Sequence, residues 1–159
     1  MRYPITYSET PDQHTVCTAT ESGDVHDVEA HAQRLRSWAV IMGVKPAGAP
    51  FVRFHAGSGA TVHLPTAVSA ELHHEDGLSA SESPAATLVG VEGVQFEAAG
   101  AVADGLRALF DAGDGAVPGF EFIRGAKGFE SGTVVLRCAA ALAMRPAELA
   151  IGEASTTAA

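Results

Sequence analysis

The sequence predicts an α+β fold: two βαββ repeats with pseudo-twofold symmetry, joined in one antiparallel sheet with helices on one side and a ligand groove on the other. Two observations point there. The hydrophobic period changes from two to about 3.6 and back again twice along the chain, and each helical stretch is followed by two short alternating runs. A hydrophobic content of 47% in 159 residues is enough for one substantial core.

In the first half, Ile5 to Glu9 alternates, Pro11-Asp12 marks a turn, and His14 to Thr20 is rich in β-branched residues; together they read as one interrupted strand or a hairpin. Val25, Val28, Ala32, Leu35, Trp38, Ala39 and Met42 then recur at helical spacing, with Asp24 as N-cap and Gly43 as the stop. The stretch VKPAGAPFVRFH, Val44 to His55, sets a rigid Pro-Gly turn directly before a strand. Ala56 to Gly59 can form a tight loop, and Ala60 to Leu64 returns as the partner strand.

The polar, proline-terminated segment His73 to Ala86 reads as a surface connector. In the second half Thr87 to Ala98 is strand-like, and its glycines mark bulges or close contacts. Val102, Leu106, Leu109 and Phe110 fall on one face of a second helix that stops near Gly113, and GFEFIRG and TVVLRC supply two more strands. The organisation expected is a ligand-binding domain over 1–138, with half one at 1–72 and half two at 87–138. Between the halves lies the connector 73–86, and an Ala-rich tail, 139–159, adds a helical turn near Ala147 to Ile151.

Composition removes several function classes. The formal charge is −9 and the ten Lys and Arg are scattered, so direct nucleic-acid binding is not expected. No apolar run approaches the roughly 20 residues that span a bilayer, and the N-terminus lacks a signal-peptide core, so the expectation is a cytoplasmic protein without membrane contact. Cys17 and Cys138 form no CxxC, and the histidines lack metal-ligand spacing, so no metal is expected. Neither GxGxxG nor GxSxG occurs in a suitable context, and no cofactor is expected.

The run Leu35 to His55 resembles the GyrI-like small-molecule-binding family, which includes effector-binding domains of AraC-type and MerR-type regulators. The matching residues are Lys45-Pro46-Ala47-Gly48-Ala49-Pro50-Phe51 and Phe54-His55. Val62 to Val68 looks like the family's third strand, and Gly119 to Ile123 stands where the family has Trp-Glu-x-Tyr. The resemblance spans roughly Tyr3 to Cys138 and implies that Glu121 occupies the position of the ligand-reading carboxylate. Phe54, Phe120 and Ile123 replace residues that are Tyr, Trp and Tyr in the family, which implies a greasier pocket. No helix-turn-helix pattern precedes the first strand, so the domain is expected to stand alone.

Alternation places Glu121 on the face opposite Phe120 and Phe122. Phe51, Arg53 and His55 share one face of their strand, and Val52 and Phe54 the other. Periodicity leaves open which set sees the groove, whereas the resemblance favours Phe54. Trp38 lies on the apolar helical stripe, which assigns it to the core, or to a cation-π platform if its ring opens to the groove.

The reading is a protein that holds a hydrophobic or cationic small molecule between its halves for sensing, sequestration or resistance. Phe54, Phe51, Trp38, His55, Phe96, Phe120 and Phe122 line the site and Glu121 supplies charge. One alternative is a hydrolase of strained natural products with Glu121 as the catalytic residue. Another is a protein-interaction module such as a gyrase inhibitor. A homodimer stays open.

Overall fold

The first helix forms where the 3.6-residue stripe predicts it. In the computed structural model, which describes residues 1–55, 59–67, 72, 77–110, 119–138 and 145–151, α1 runs over Val25–Met42. The Asp24 carboxylate accepts the Asp27 N–H at its start, and Gly43 closes it at φ 69°, a left-handed conformation that glycine adopts without steric cost. Val28, Ala32, Leu35 and Ala39 form its buried stripe.

The strands are β1 (Arg2–Pro4), β2 (Thr6–Thr10), β3 (Gln13–Ala19), β4 (Phe51–Phe54), β5 (Ala60–Thr66), β6 (Ser79–Ser83), β7 (Ala86–Gln95), β8 (Phe120–Gly125), β9 (Gly128–Cys138) and β10 (Glu148–Ala150). A 3-10 turn, Phe96–Ala98, leads from β7 into α2, Ala99–Leu109. Val102, Leu106 and Phe110 of the predicted second stripe are buried, but Leu109 is exposed. The expected stop at Gly113 and most of the Ala56 to Gly59 loop lie outside the described residues.

Eight strands form one antiparallel sheet in the order β2-β7-β9-β8-β4-β5-β3-β6. Its centre obeys the predicted repeat: β3, α1, β4, β5 on one side of the β4/β8 seam and β7, α2, β8, β9 on the other. The edges differ from the prediction. β2 and β3 are neither one strand nor a hairpin, because β2 pairs with β7 of the second half. The segment read as a connector contains β6, which pairs with β3 of the first half. Each repeat thus lends its leading strand to the other.

This exchange forces the sheet to curl. β2 and β3 are six strand positions apart, about 29 Å in a flat sheet at roughly 4.8 Å per strand. Only Pro11 and Asp12 separate them, a reach of about 11 Å from Thr10 to Gln13. β6 and β7 are also six positions apart and joined by Pro84-Ala85 alone. The Ala85 N–H donates to Asp12 Oδ1 at 2.8 Å, tying one linker to the other. The sheet therefore bends into a half-barrel.

Both helices cover its outer face. Their buried stripes meet Val16, Val52, Leu64, Val89, Phe122 and Leu136, which share that face by alternation. The tail provides β10, paired with β1, and not the expected helical turn. Ile5, whose N–H donates to Ala147 O, and the pairing of Tyr3 with Leu149 override the weak local helical preference of an Ala-rich segment. Between Val91 and Val94 the β7/β9 register shifts, and Gly93 there has φ 71°, which is the bulge that the glycines of this strand foreshadow. No described helix is long and apolar enough to cross a membrane.

At the β8/β9 ladder the backbone of Gly132 lies so near Ile123 that a Cβ at position 132 would collide with the Ile123 carbonyl. Gly132→Ala should therefore destabilise the fold by about 1–3 kcal/mol through overpacking. Thermal unfolding should show a drop of several degrees; an unchanged Tm would contradict this close approach.

Candidate functional site

Two chemically different surfaces flank the β4/β8 seam, because residues alternate across it. Cα partners in an antiparallel pair point to the same face. Phe54 pairs with Phe120 and Val52 with Phe122 on the helix-bearing side, whereas Arg53 pairs with Glu121 and Phe51 with Ile123 on the concave side. The structure thus brings Phe54, Phe96, Phe120 and Phe122 together, and places Glu121 and Phe51 behind them on the opposite face.

On the helix side, the face opposite the one on which the sequence reading sets the groove and without Glu121, the N-terminal ends of α1 and α2 converge over a cleft of about 480 Å³. Phe54, Phe96 and Phe120 form its floor, Val25 and Ala99 its walls, and Asp24 and Glu97 its rim. Phe54 stacks on Phe120 with ring centroids 4.8 Å apart and lies 6.1 Å from Phe96. All three rings are half-buried, which leaves contact area for a ligand. Phe122 lies fully buried below, edge-on to Phe96 at 5.4 Å. The Arg107 guanidinium sits 5.7 Å from the Phe120 centroid, an intramolecular cation-π contact. Hydrogen bonds from Asp27 and Ser22 hold the Asp24 carboxyl below the usual range, so it is ionised at neutral pH.

On the concave side Glu121 is only 5% exposed. Arg137 Nε donates to its Oε2 at 2.6 Å, and Arg53 Nε and Nη2 donate to the same oxygen at 3.2 and 3.1 Å. Arg53 Nη2 also reaches Ser83 on β6, and Arg137 Nη2 reaches Gln13 on β3. These bonds cross the hollow of the curl, since β4 and β6 are three positions apart and β9 and β3 four. Glu121 thus joins the sheet's centre to its far edge.

Beside this hub, His63 is buried and stacks flat on Phe51 at 4.9 Å. Its Nδ1 is 2.9 Å from Thr15 Oγ1, and its Nε2 is 2.7 Å from Thr61 Oγ1, which in turn is 2.9 Å from Nε2 of exposed His55. Burial first, then the Arg53 charge, pushes the His63 pKa down to about 3. Trp38 is half-buried against the core from α1. The structure leaves it and His55 outside both the aromatic cleft and the arginine hub.

Sequence reasoning did not find Arg53 and Arg137 as partners of Glu121, nor Asp24 and Glu97 as a rim. A usable signal existed for Arg137, since a charge inside the apolar run TVVLRC demands a partner on its own face. The partner's identity requires the register of three strands.

No family model matches the sequence, and no curated protein matches it. Solved structures do. EcmrR in its complex with DNA within EcmrR-RPo aligns with a TM-score of 0.65 at 10% identity, over 86% of this chain and 56% of EcmrR. The chain thus spans about half the length of that protein. The C-terminal domain of EcmrR alone aligns with a TM-score of 0.58 at 15% identity, over 86% of this chain and 96% of that domain. A Staphylococcus aureus MU50 protein assigned to bacterial transcription regulation gives 0.50 at 9% identity, over 86% and 98%. The fold is the GyrI-like one implied by the resemblance at Leu35 to His55.

Removing the carboxylate charge should expose how much the hub matters. Glu121→Gln leaves two guanidiniums without their counter-ion and should cost about 3–5 kcal/mol in urea unfolding. The double variant Glu121→Gln/Arg137→Met should recover part of that loss, and equal losses would count against a coupled hub.

His63 provides a second measurement. Its folded pKa lies below the ordinary value of 6.5, so the unfolded chain binds the extra proton between about pH 6.5 and 3. Stability should be fully present above pH 6.5 and fall on acidification by about 1.4 kcal/mol per pH unit from this group. Urea titrations at pH 7, 6 and 5 should give a flatter profile for His63→Gln; parallel profiles would refute the assignment.

Proposed function

We propose that the chain is a GyrI-like small-molecule-binding domain whose ligand, hydrophobic and cationic, occupies the aromatic cleft at the seam between the halves. The observation that carries this reading is the cleft itself: three half-buried phenylalanine rings under two carboxylate-bearing rims. Such a site offers apolar area and ring faces to a cation, each desolvated cation-π contact contributing about 2 kcal/mol.

Electrostatics favours the same ligand. Each helix N-terminus carries roughly half a positive charge, about one in total for α1 and α2. Asp24 and Glu97 bring two full negative charges to the same rim, and Asp24 already satisfies the first turn of α1. Arg107 over Phe120 is paired with Asp104 at 2.8 Å, so the rim carboxylates still outweigh the dipoles and the cleft attracts cations. A planar ligand buried there would reach micromolar affinity, about −8 kcal/mol, after the costs of association.

The biological role we assign is sensing or sequestration of such a compound. The fold shared with the C-terminal domain of EcmrR, a protein solved in complex with DNA, supports a role as the effector-reading part of a regulatory system.

Calorimetric titration with a planar aromatic monocation and its neutral isostere tests the proposal. Wild type should prefer the cation; Phe120→Ala should weaken it about tenfold or more, and Glu97→Gln by a few-fold, as befits an exposed charge. Arg107→Gln should tighten binding by removing a competing cation from Phe120. A broad panel of lipophilic cations with no heat of binding, or equal binding by Phe120→Ala, would defeat it.

A further inference from the structure

The outer face of α1 departs from the usual pattern of a surface helix, which turns its charges to solvent. His26, Ala30, Gln33, Ser37 and Val40 are all exposed and follow one another at alternating spacings of four and three, a heptad-like line along the helix. None of them is an acid, a lysine or an arginine. At its C-terminal end Val40 and Ile41 are 82% and 81% exposed. With Gln33, Arg36 and Ser37 they line a shallow groove of about 390 Å³. Two adjacent β-branched residues in a helix cost propensity, and in this position they contribute nothing to the core.

The charges stand on either side of that line. Asp27 and Arg34 directly follow His26 and Gln33, whereas Glu29 and Arg36 directly precede Ala30 and Ser37. Each flank therefore runs from an acid to a base two turns further on. Seven residues separate acid from base on each flank, whereas side chains of one helix pair at three or four. The macrodipole does not account for the arginines either, because the last turn of α1 carries no base.

A second copy of the same helix running the opposite way meets both features. In an antiparallel helix pair each flank faces the same flank of its mate, so Glu29 comes opposite Arg36 of the other copy and Asp27 opposite Arg34. Both pairings set the two-fold axis between Ala30 and Gln33, which packs Ala30 against Gln33 of the other copy and Ser37 against His26. A parallel pair would join only Glu29 to Arg34 and would align the two macrodipoles.

We propose that two copies of the chain associate through antiparallel packing of their α1 helices about a two-fold axis between Ala30 and Gln33. The contact is isologous, so each charge pair occurs twice. It does not rest on ligand binding in the aromatic cleft. The 18 residues of α1 overlap over about 27 Å, a small contact area, so the dimer is weak and reversible.

Sedimentation equilibrium of the full chain at concentrations up to about 1 mM tests this. Wild type should show a monomer–dimer equilibrium that weakens at high salt. Ala30→Glu should abolish the dimer, and Arg36→Glu should raise its Kd about tenfold or more by setting like charges together. Lys127→Glu makes the same change of charge at an exposed position remote from α1 and should dimerise as wild type does. Copies of Gln33→Cys should be joined by a short bis-maleimide, and copies of Lys45→Cys should not, because antiparallel packing sends those positions to opposite ends. Every substituted position is exposed in the monomer, and an unchanged Tm in dilute solution confirms that each variant folds. A monomer at all concentrations, or a dimer indifferent to Ala30→Glu, would overturn the proposal. Cross-linking at position 45 and not at 33 would overturn the antiparallel register.

Discussion

Two linkers of two residues each, Pro11-Asp12 and Pro84-Ala85, must connect strands that stand six positions apart in the sheet order. No flat sheet satisfies that distance, so curvature is imposed by chain connectivity before any side chain is considered. Proline suits these corners because it fixes φ and has no N–H to leave unpaired where a ladder ends. Once the sheet bends, the side chains of β3 and β6 face those of β4, β8 and β9 across a hollow. Only then can Arg53 reach Ser83 and Arg137 reach Gln13. The hub on Glu121 is thus a product of the bend and also a brace for it.

The seam where β4 meets β8 then acquires two opposite characters from the simplest rule of strands, a side-chain period of two. Rings at 54, 120 and 122 face the helices, and charges at 53 and 121 face the hollow. Helices can pack over β-sheet only where the sheet is apolar, so the aromatic side gains its walls from α1 and α2. The polar side has none of the described helices over it and encloses itself by curling. One pair of strands therefore separates a greasy, acid-rimmed cleft from a basic trough by the thickness of a backbone.

Much of this was legible in the residues. The stripe from Val25 to Ala39 with Asp24 and Gly43 at its ends specified α1 almost to the residue, because caps and periodicity are local signals. The βαββ order repeated for the same reason, and the resemblance around Pro46 to His55 led to the GyrI-like fold. What local signals could not convey was partnership. Thr6 to Thr10 alternates as a strand wherever it pairs, and nothing within it names β7 of the other half as its neighbour. The polar stretch Ser79 to Ser83 has the composition of a loop and becomes an edge strand because β3 presents an open ladder. For Glu121 the alternation already separated it from Phe120 and Phe122, but its two arginines come from positions 68 residues before and 16 after, and only register unites them.

The reciprocal loan of leading strands also bears on how the chain comes into being. During synthesis β2 emerges long before β7, its lateral neighbour among the described strands of the eight-stranded sheet. The first repeat likewise lacks its outer edge until β6 has left the ribosome. Neither repeat is finished by its own residues, so the nascent first half carries bare ladder edges that invite wrong pairing. Two separate copies of either repeat would have the same incentive to trade strands between chains.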